Sequence, residues 1–159
     1  MKTNFFVRFL KNNFKHYFKT RRIGFYMVVA TSILCVFAAL SYRFGYKGNE
    51  AIGEYYVQNI SLILLLGFVI SGPLLTFDVT SELAAPVLWV TTLIALCRDV
   101  KYSYMYLTTV FFGGLSIDAL MTMELGYIIP KVLMLFILIL SFVAMLIGQG
   151  RRKRKNEQN

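Results

Sequence analysis

Residues 102–127 read YSYMYLTTVFFGGLSIDALMTMELGY. This stretch is apolar enough to cross a membrane and polar enough to lie on its surface. Its placement sets the number of spans and the side on which the C-terminus falls. Two features argue against a crossing. Asp118 and Glu124 would each be costly in a hydrocarbon interior. Gly113-Gly114 divides the stretch into two short pieces.

The rest of the chain makes the membrane unavoidable. Of its 159 residues, 57% are hydrophobic and only 16% are charged, against about 25% charged in an ordinary soluble domain. The mean hydropathy is +0.61. A soluble fold of this size has too little interior to hide that much apolar surface. One domain is expected. Four runs have span character: residues 23–42, 55–77, 82–97 and 127–147. The first has no charge over about 20 residues, matching a hydrocarbon core of about 30 Å. Ser71-Gly72-Pro73 falls near the end of the second and is expected to kink it. The linker 78–81 is short, so the second and third runs form an antiparallel hairpin. Thr80 or Ser81 can cap the third run, with Glu82 in its first turn. Pro130 sits in the first turn of the last run, where a missing N–H costs little. Lys131 is expected to snorkel to the nearby interface.

The charges decide between four and five spans. The net charge is +9, and 12 of the 17 Lys and Arg lie in residues 1–22 and 151–159. With four spans both basic ends face the cytoplasm. Five bases (Arg43, Lys47, Arg98, Lys101, Lys131) then balance five acids (Glu50, Glu54, Asp99, Asp118, Glu124) on the other side. That is the positive-inside pattern. Five spans would put one basic terminus outside. Eight of the ten tyrosines fall at the outer ends: Tyr42, Tyr46, Tyr55, Tyr56, Tyr102, Tyr104, Tyr106 and Tyr127. Tyrosine favours the interface, where its ring is apolar and its hydroxyl wet.

The expected fold is therefore an all-α integral membrane protein. Four transmembrane helices occupy residues 23–147, and residues 98–126 form an external interfacial or re-entrant flap. Residues 1–22 form a basic amphipathic arm, and residues 148–159 a basic cytoplasmic tail. In the arm, Arg8, Lys11, Lys15 and Lys19 fall in one sector, with phenylalanines opposite. This suits a helix lying on an anionic leaflet, with Arg151 and Arg152 of the tail as further lipid contacts. The ordinary reading, a topology anchor, is preferred over a sensor. The lone His16 is read as an interfacial contact.

Chemistry is sparse. No P-loop, G-x-S-x-G or H-E-x-x-H signature is present. One histidine and two isolated cysteines, Cys35 and Cys97, offer no His-based metal cluster and no C-x-x-C. No cofactor is expected, and nucleic-acid binding is disfavoured because the basic residues form no continuous face. Three polar groupings remain. Asp78 and Glu82, four apart, could handle protons or a cation, although a solvated turn is the ordinary reading. Tyr102, Tyr104, Tyr106, Asp118 and Glu124 could bind an external ligand or partner, although ordinary interfacial residues read the same way. Asn59, Ser61, Ser71, Thr91 and Thr92 could line a polar path or, more commonly, bond helix to helix. Small residues recur four apart at Gly67/Ser71, Thr91/Ala95 and Ala144/Gly148, a spacing that lets helices pack closely.

The segments TRRIGFY (20–26), ELAAPVLW (82–89) and YMYLTTVFFGG (104–114) resemble a group of small polytopic membrane proteins of gut Firmicutes. The resemblance extends from about residue 21 to 147. It implies a bacterial cytoplasmic membrane and a non-spanning segment before the last helix. That group has no established activity, so no site residues follow from it. The leading expectation is a non-enzymatic accessory or scaffold subunit acting through a membrane-protein partner or as a homo-oligomer. A small oligomeric transporter, channel or holin-like pore subunit is the alternative. A lipid- or glycan-acting enzyme lacks a convergent acid, base and nucleophile, and a bacteriocin-immunity role has no motif in its favour. The four-span topology predicts that a cytoplasm-only fluorescent reporter fused after Asn159 fluoresces. A periplasm-only phosphatase fused there should stay inactive.

Overall fold

In the computed structural model, residues 23–76, 80–112 and 123–148 are described. The expected arm and tail, with Arg8, Lys11, Lys15, Lys19, Arg151 and Arg152, lie outside these residues. So do Asp78 and Asp118. The described chain is all-helical. Helix α1 spans Ile23–Lys47, α2 Gln58–Thr76, α3 Ala84–Tyr102, α4 Tyr104–Val110 and α5 Leu125–Ile147. Two single 3-10 turns, Gly53–Tyr55 and Ser81–Leu83, precede α2 and α3. Among the described residues, four helices are long and apolar enough to cross a membrane: α1, α2, α3 together with its leading turn (Ser81–Tyr102), and α5.

These four pack in a ring, with α1 against α2 and α5, and α3 against α2 and α5. The bundle interior holds Val28, Cys35, Ala38, Leu64, Leu88, Ala95, Met134 and Ile137, all fully buried. Phe37, Val69, Ile94, Ile139 and Phe142 point outward and are exposed. Exposure of this kind on long apolar helices is the signature of a lipid-facing surface.

Small residues set the closest approaches. Helices α1 and α5 run antiparallel and touch backbone to backbone near both ends. A Cβ on Gly45 would stand 2.7 Å from the carbonyl oxygen of Gly126, and a Cβ on Gly126 would meet Gly45 as closely. At the other end Gly24 abuts the carbonyl of Gly148. Gly148 ends α5 with φ 75°, a left-handed conformation that glycine adopts without steric cost. Gly67 of α2 faces Thr91 of α3, where an added Cβ would lie 2.5 Å from the threonine hydroxyl. The small-residue pairs read from the sequence thus fall at helix contacts.

Helix limits differ from the sequence expectation in instructive ways. The second helix begins at Gln58 because residues 53–55 form a 3-10 turn and the Val57 N–H is taken by the Tyr42 hydroxyl at 3.1 Å. The third continues five residues past Cys97, through Arg98, Asp99 and Lys101 to Tyr102. Charges do not stop it because Asp99 turns inward to a partner while Arg98 and Lys101 are exposed. Thr80 is not a side-chain cap; its hydroxyl reaches back to the Leu74 carbonyl at 3.1 Å. Of the opening stretch, residues 104–110 form α4, whose seven residues rise only about 10 Å. That is far too short to span a hydrocarbon core of about 30 Å.

Close packing at the α1–α5 crossing is directly testable. Gly45→Leu or Gly126→Val should destabilise the bundle by about 1–3 kcal/mol, the usual range for overpacking, read as lower thermal stability in detergent. Gly72, with open space around it, serves as the control, and Gly72→Ala within α2 should not lower stability.

Candidate functional site

Three i, i+4 pairs on three helices converge at one end of the bundle. Side chains four apart lie on the same helix face. Helix α1 contributes Tyr42 and Tyr46, α3 contributes Asp99 with Ser103 at its C-cap, and α5 contributes Tyr127 and Lys131. All but Lys131 are buried, and Lys131 keeps 15% of its side chain exposed.

The centre is an ion pair. The Lys131 Nζ lies 2.6 Å from Asp99 Oδ2, and the carboxylate side chain is 1% exposed. The Tyr46 hydroxyl donates to Asp99 Oδ1 at 2.9 Å and accepts from Lys131 Nζ at 2.8 Å. The ammonium also stands 3.1 Å from the Tyr127 ring centroid, in cation–π contact. An ammonium has three N–H groups. Here Asp99, Tyr46 and the Tyr127 ring surround it, so little binding capacity is left over. Apart from the lysine, no group among the described residues bonds to Asp99 Oδ2.

Around the pair the hydroxyls are ordered. The Ser103 hydroxyl donates to the Asp99 carbonyl at 2.7 Å, and its N–H reaches the same carbonyl at 2.9 Å. Ser103 has only one hydroxyl proton, so the 3.1 Å contact with the Tyr127 hydroxyl has tyrosine as donor. Rings continue the contact outward. Tyr42 packs on Tyr46 with centroids 4.5 Å apart, and on Tyr56 at 5.6 Å. Tyr127 meets Tyr106 at 4.7 Å, and Tyr106 meets Tyr55 at 6.1 Å. Six of the eight tyrosines read as interfacial are therefore joined in one assembly. Tyr42, Tyr46, Tyr106 and Tyr127 point inward and are buried, contrary to that reading. Their hydroxyls find protein partners where an interfacial tyrosine would find water.

A second polar tie closes the same end. Asn49, in the loop after α1, donates to Glu124 Oε2 at 2.7 Å, and the Glu124 N–H donates to the Tyr106 hydroxyl at 3.0 Å. Of the candidate ligand residues, Tyr106 and Glu124 are thus brought together, as structural partners. Tyr102 and Tyr104 are exposed, 48% and 60%. Glu82 is exposed on the turn that opens α3.

Lys131 does not snorkel outward as expected; it turns into the bundle because Asp99 offers a matched charge there. The sequence carried a signal for this site in Tyr42/Tyr46, Asp99/Ser103 and Tyr127/Lys131, each four apart. Reading Asp99 as a charge of the external flap and Lys131 as a snorkelling one concealed it.

The suggested polar path is not continuous. The Ser61 and Thr91 hydroxyls bond carbonyls of their own helices, and Asn59 is exposed. Only Ser71 and Thr92 reach another helix, Ser71 to Ser32 at 2.9 Å and Thr92 to the Cys35 sulfur at 3.9 Å.

No family model, curated protein or solved structure matches the chain.

Removing one member of a buried pair strands the other charge, at a cost of about 3–5 kcal/mol. Lys131→Met or Asp99→Leu alone should therefore lower bundle stability by about that amount. The double variant Asp99→Leu/Lys131→Met should recover most of the loss. Equilibrium unfolding of the purified protein in mixed micelles measures both.

Proposed function

We propose that the chain is a non-enzymatic, multi-pass protein of a bacterial cytoplasmic membrane, with both termini cytoplasmic. It acts as an accessory or scaffold subunit through a partner protein. The observation that carries this reading is the closure of the buried polar site. Asp99, Lys131, Tyr46, Tyr127 and Ser103 bond one another. A catalytic or transport site needs groups held ready for a substrate, whereas this network binds three helices together. It holds the end of the bundle rigid beneath α4.

Among the described residues, what remains open at that end is the outer side of α4 and its flanks. Tyr104 and Met105 are 60% and 64% exposed, and Phe112 is 94% exposed. Tyr102 stands beside them, with Lys101 over its ring at 5.9 Å. Aromatic and methionine side chains on a rigid base are the usual anchors of protein interfaces.

One observation favours the alternative, a small oligomeric transporter or channel subunit. Asp99 and Lys131 are charges within span-length helices, and such residues commonly mark ion or proton routes. On that reading, neutralising the pair together abolishes flux in liposomes without lowering expression.

A photoreactive amino acid at Tyr104 or Phe112 separates the two readings. In native membranes we expect a discrete adduct with another protein, absent when the probe is at Phe142 on the exposed side of α5. Lipid adducts alone at all three positions would sink the scaffold reading.

A further inference from the structure

The exposed surface is not uniformly convex. Between the C-terminal part of α3, α4 and the first half of α5 lies an open groove of about 270 Å³. Val100, Leu107, Phe111, Ile128, Val132 and Leu135 form its walls. Tyr127 and the Lys131 side chain lie along it as well, yet no polar atom is exposed on its surface.

Three features narrow the occupant. First, Val100, Val132 and Leu135 are 41%, 55% and 50% exposed and continue into the apolar belt around the bundle. The groove therefore opens sideways, toward the hydrocarbon. Second, among the described residues the only ionised group along it is Lys131, which is already matched by Asp99 at 2.6 Å. A second ion, of either sign, would leave the site with unbalanced charge in a low-dielectric surround. Third, hydrocarbon covering the groove excludes water from the remaining exposed part of Lys131, which strengthens the pair behind it.

We infer that this groove is a binding site for one uncharged hydrocarbon chain, the acyl chain of a membrane lipid, taken without regard to headgroup. The inference rests on the membrane-spanning reading of the chain and deepens it. It makes lipid a built-in part of the tyrosine end, sealing the Asp99–Lys131 pair.

The test uses the full-length protein in bilayers of phosphatidylcholine carrying a diazirine on one acyl chain, with adducts mapped by peptide mass spectrometry. We expect adducts concentrated on Val100, Leu107, Val132 and Leu135 relative to the outward-facing Ile139 and Phe142. Diazirine-labelled phosphatidylglycerol should give the same pattern. Val132→Trp fills the groove from an exposed position, and should lower the groove adducts to the level at Phe142 while thermal stability holds. Adducts spread evenly over the belt would overturn the proposal. So would adducts missing from the groove alone, which would mean that protein covers it. Selectivity for the anionic lipid would overturn headgroup indifference and make Lys131 the ligand. A chain with no adducts at any position would fail the membrane reading itself, separately from the groove.

Discussion

The tyrosine end of the bundle depends on one neutral pair of opposite charges placed where water is scarce. Asp99 and Lys131 come from helices α3 and α5, and Tyr46 of α1 bonds to both. Either charge alone would be an expensive occupant of a helix bundle in lipid. Together they neutralise each other, and each hydrogen bond they make joins a different pair of helices. The pair thus fixes which faces of α1, α3 and α5 meet. Apolar surfaces alone specify this poorly, because lipid tails solvate leucine as well as another helix does.

The glycine contacts do the complementary work. Dispersion forces favour close approach, and Gly45 against Gly126 removes the side chains that would prevent it. This brings α1 and α5 close at the same end as the ion pair, one residue from Tyr46 and Tyr127. Lys131 then reaches across to Asp99 while its ammonium rests on the Tyr127 ring. Beyond the pair, Tyr42, Tyr56, Tyr106 and Tyr55 extend the assembly to the loop and to α4. A rigid end of this kind suits a protein that presents a surface, and the lateral groove makes a lipid chain part of that end.

Much of the fold was legible in the chain. Long uncharged runs flanked by basic residues, such as Arg21-Arg22 before the first, point to helices that cross a membrane, since only a helix of that length satisfies its own backbone in hydrocarbon. Gly113-Gly114, Asp118 and Glu124 count against a fifth span, and α4 at seven residues is consistent with that count. The Gly67/Ser71, Thr91/Ala95 and Ala144/Gly148 spacings point to helix contacts, because a small side chain has few other uses on an apolar helix. The site was less legible. Asp99 falls between Arg98 and Lys101, so linear hydropathy ends the helix at Cys97 and assigns all three to the external flap.

What the sequence by itself determined is the helical class, four span-length segments and the gathering of tyrosines near their ends. These follow from composition and spacing along one dimension, where hydrocarbon thickness and backbone hydrogen bonding leave few options. Only the tertiary structure decided which charges are inside. Asp99 and Lys131 are 32 positions apart, and the polar neighbour that each has four residues away does not tell which way its charge turns. Their burial exists only because α3 and α5 pack side by side with Tyr46 of α1 between them, so that each charge finds its opposite on leaving water.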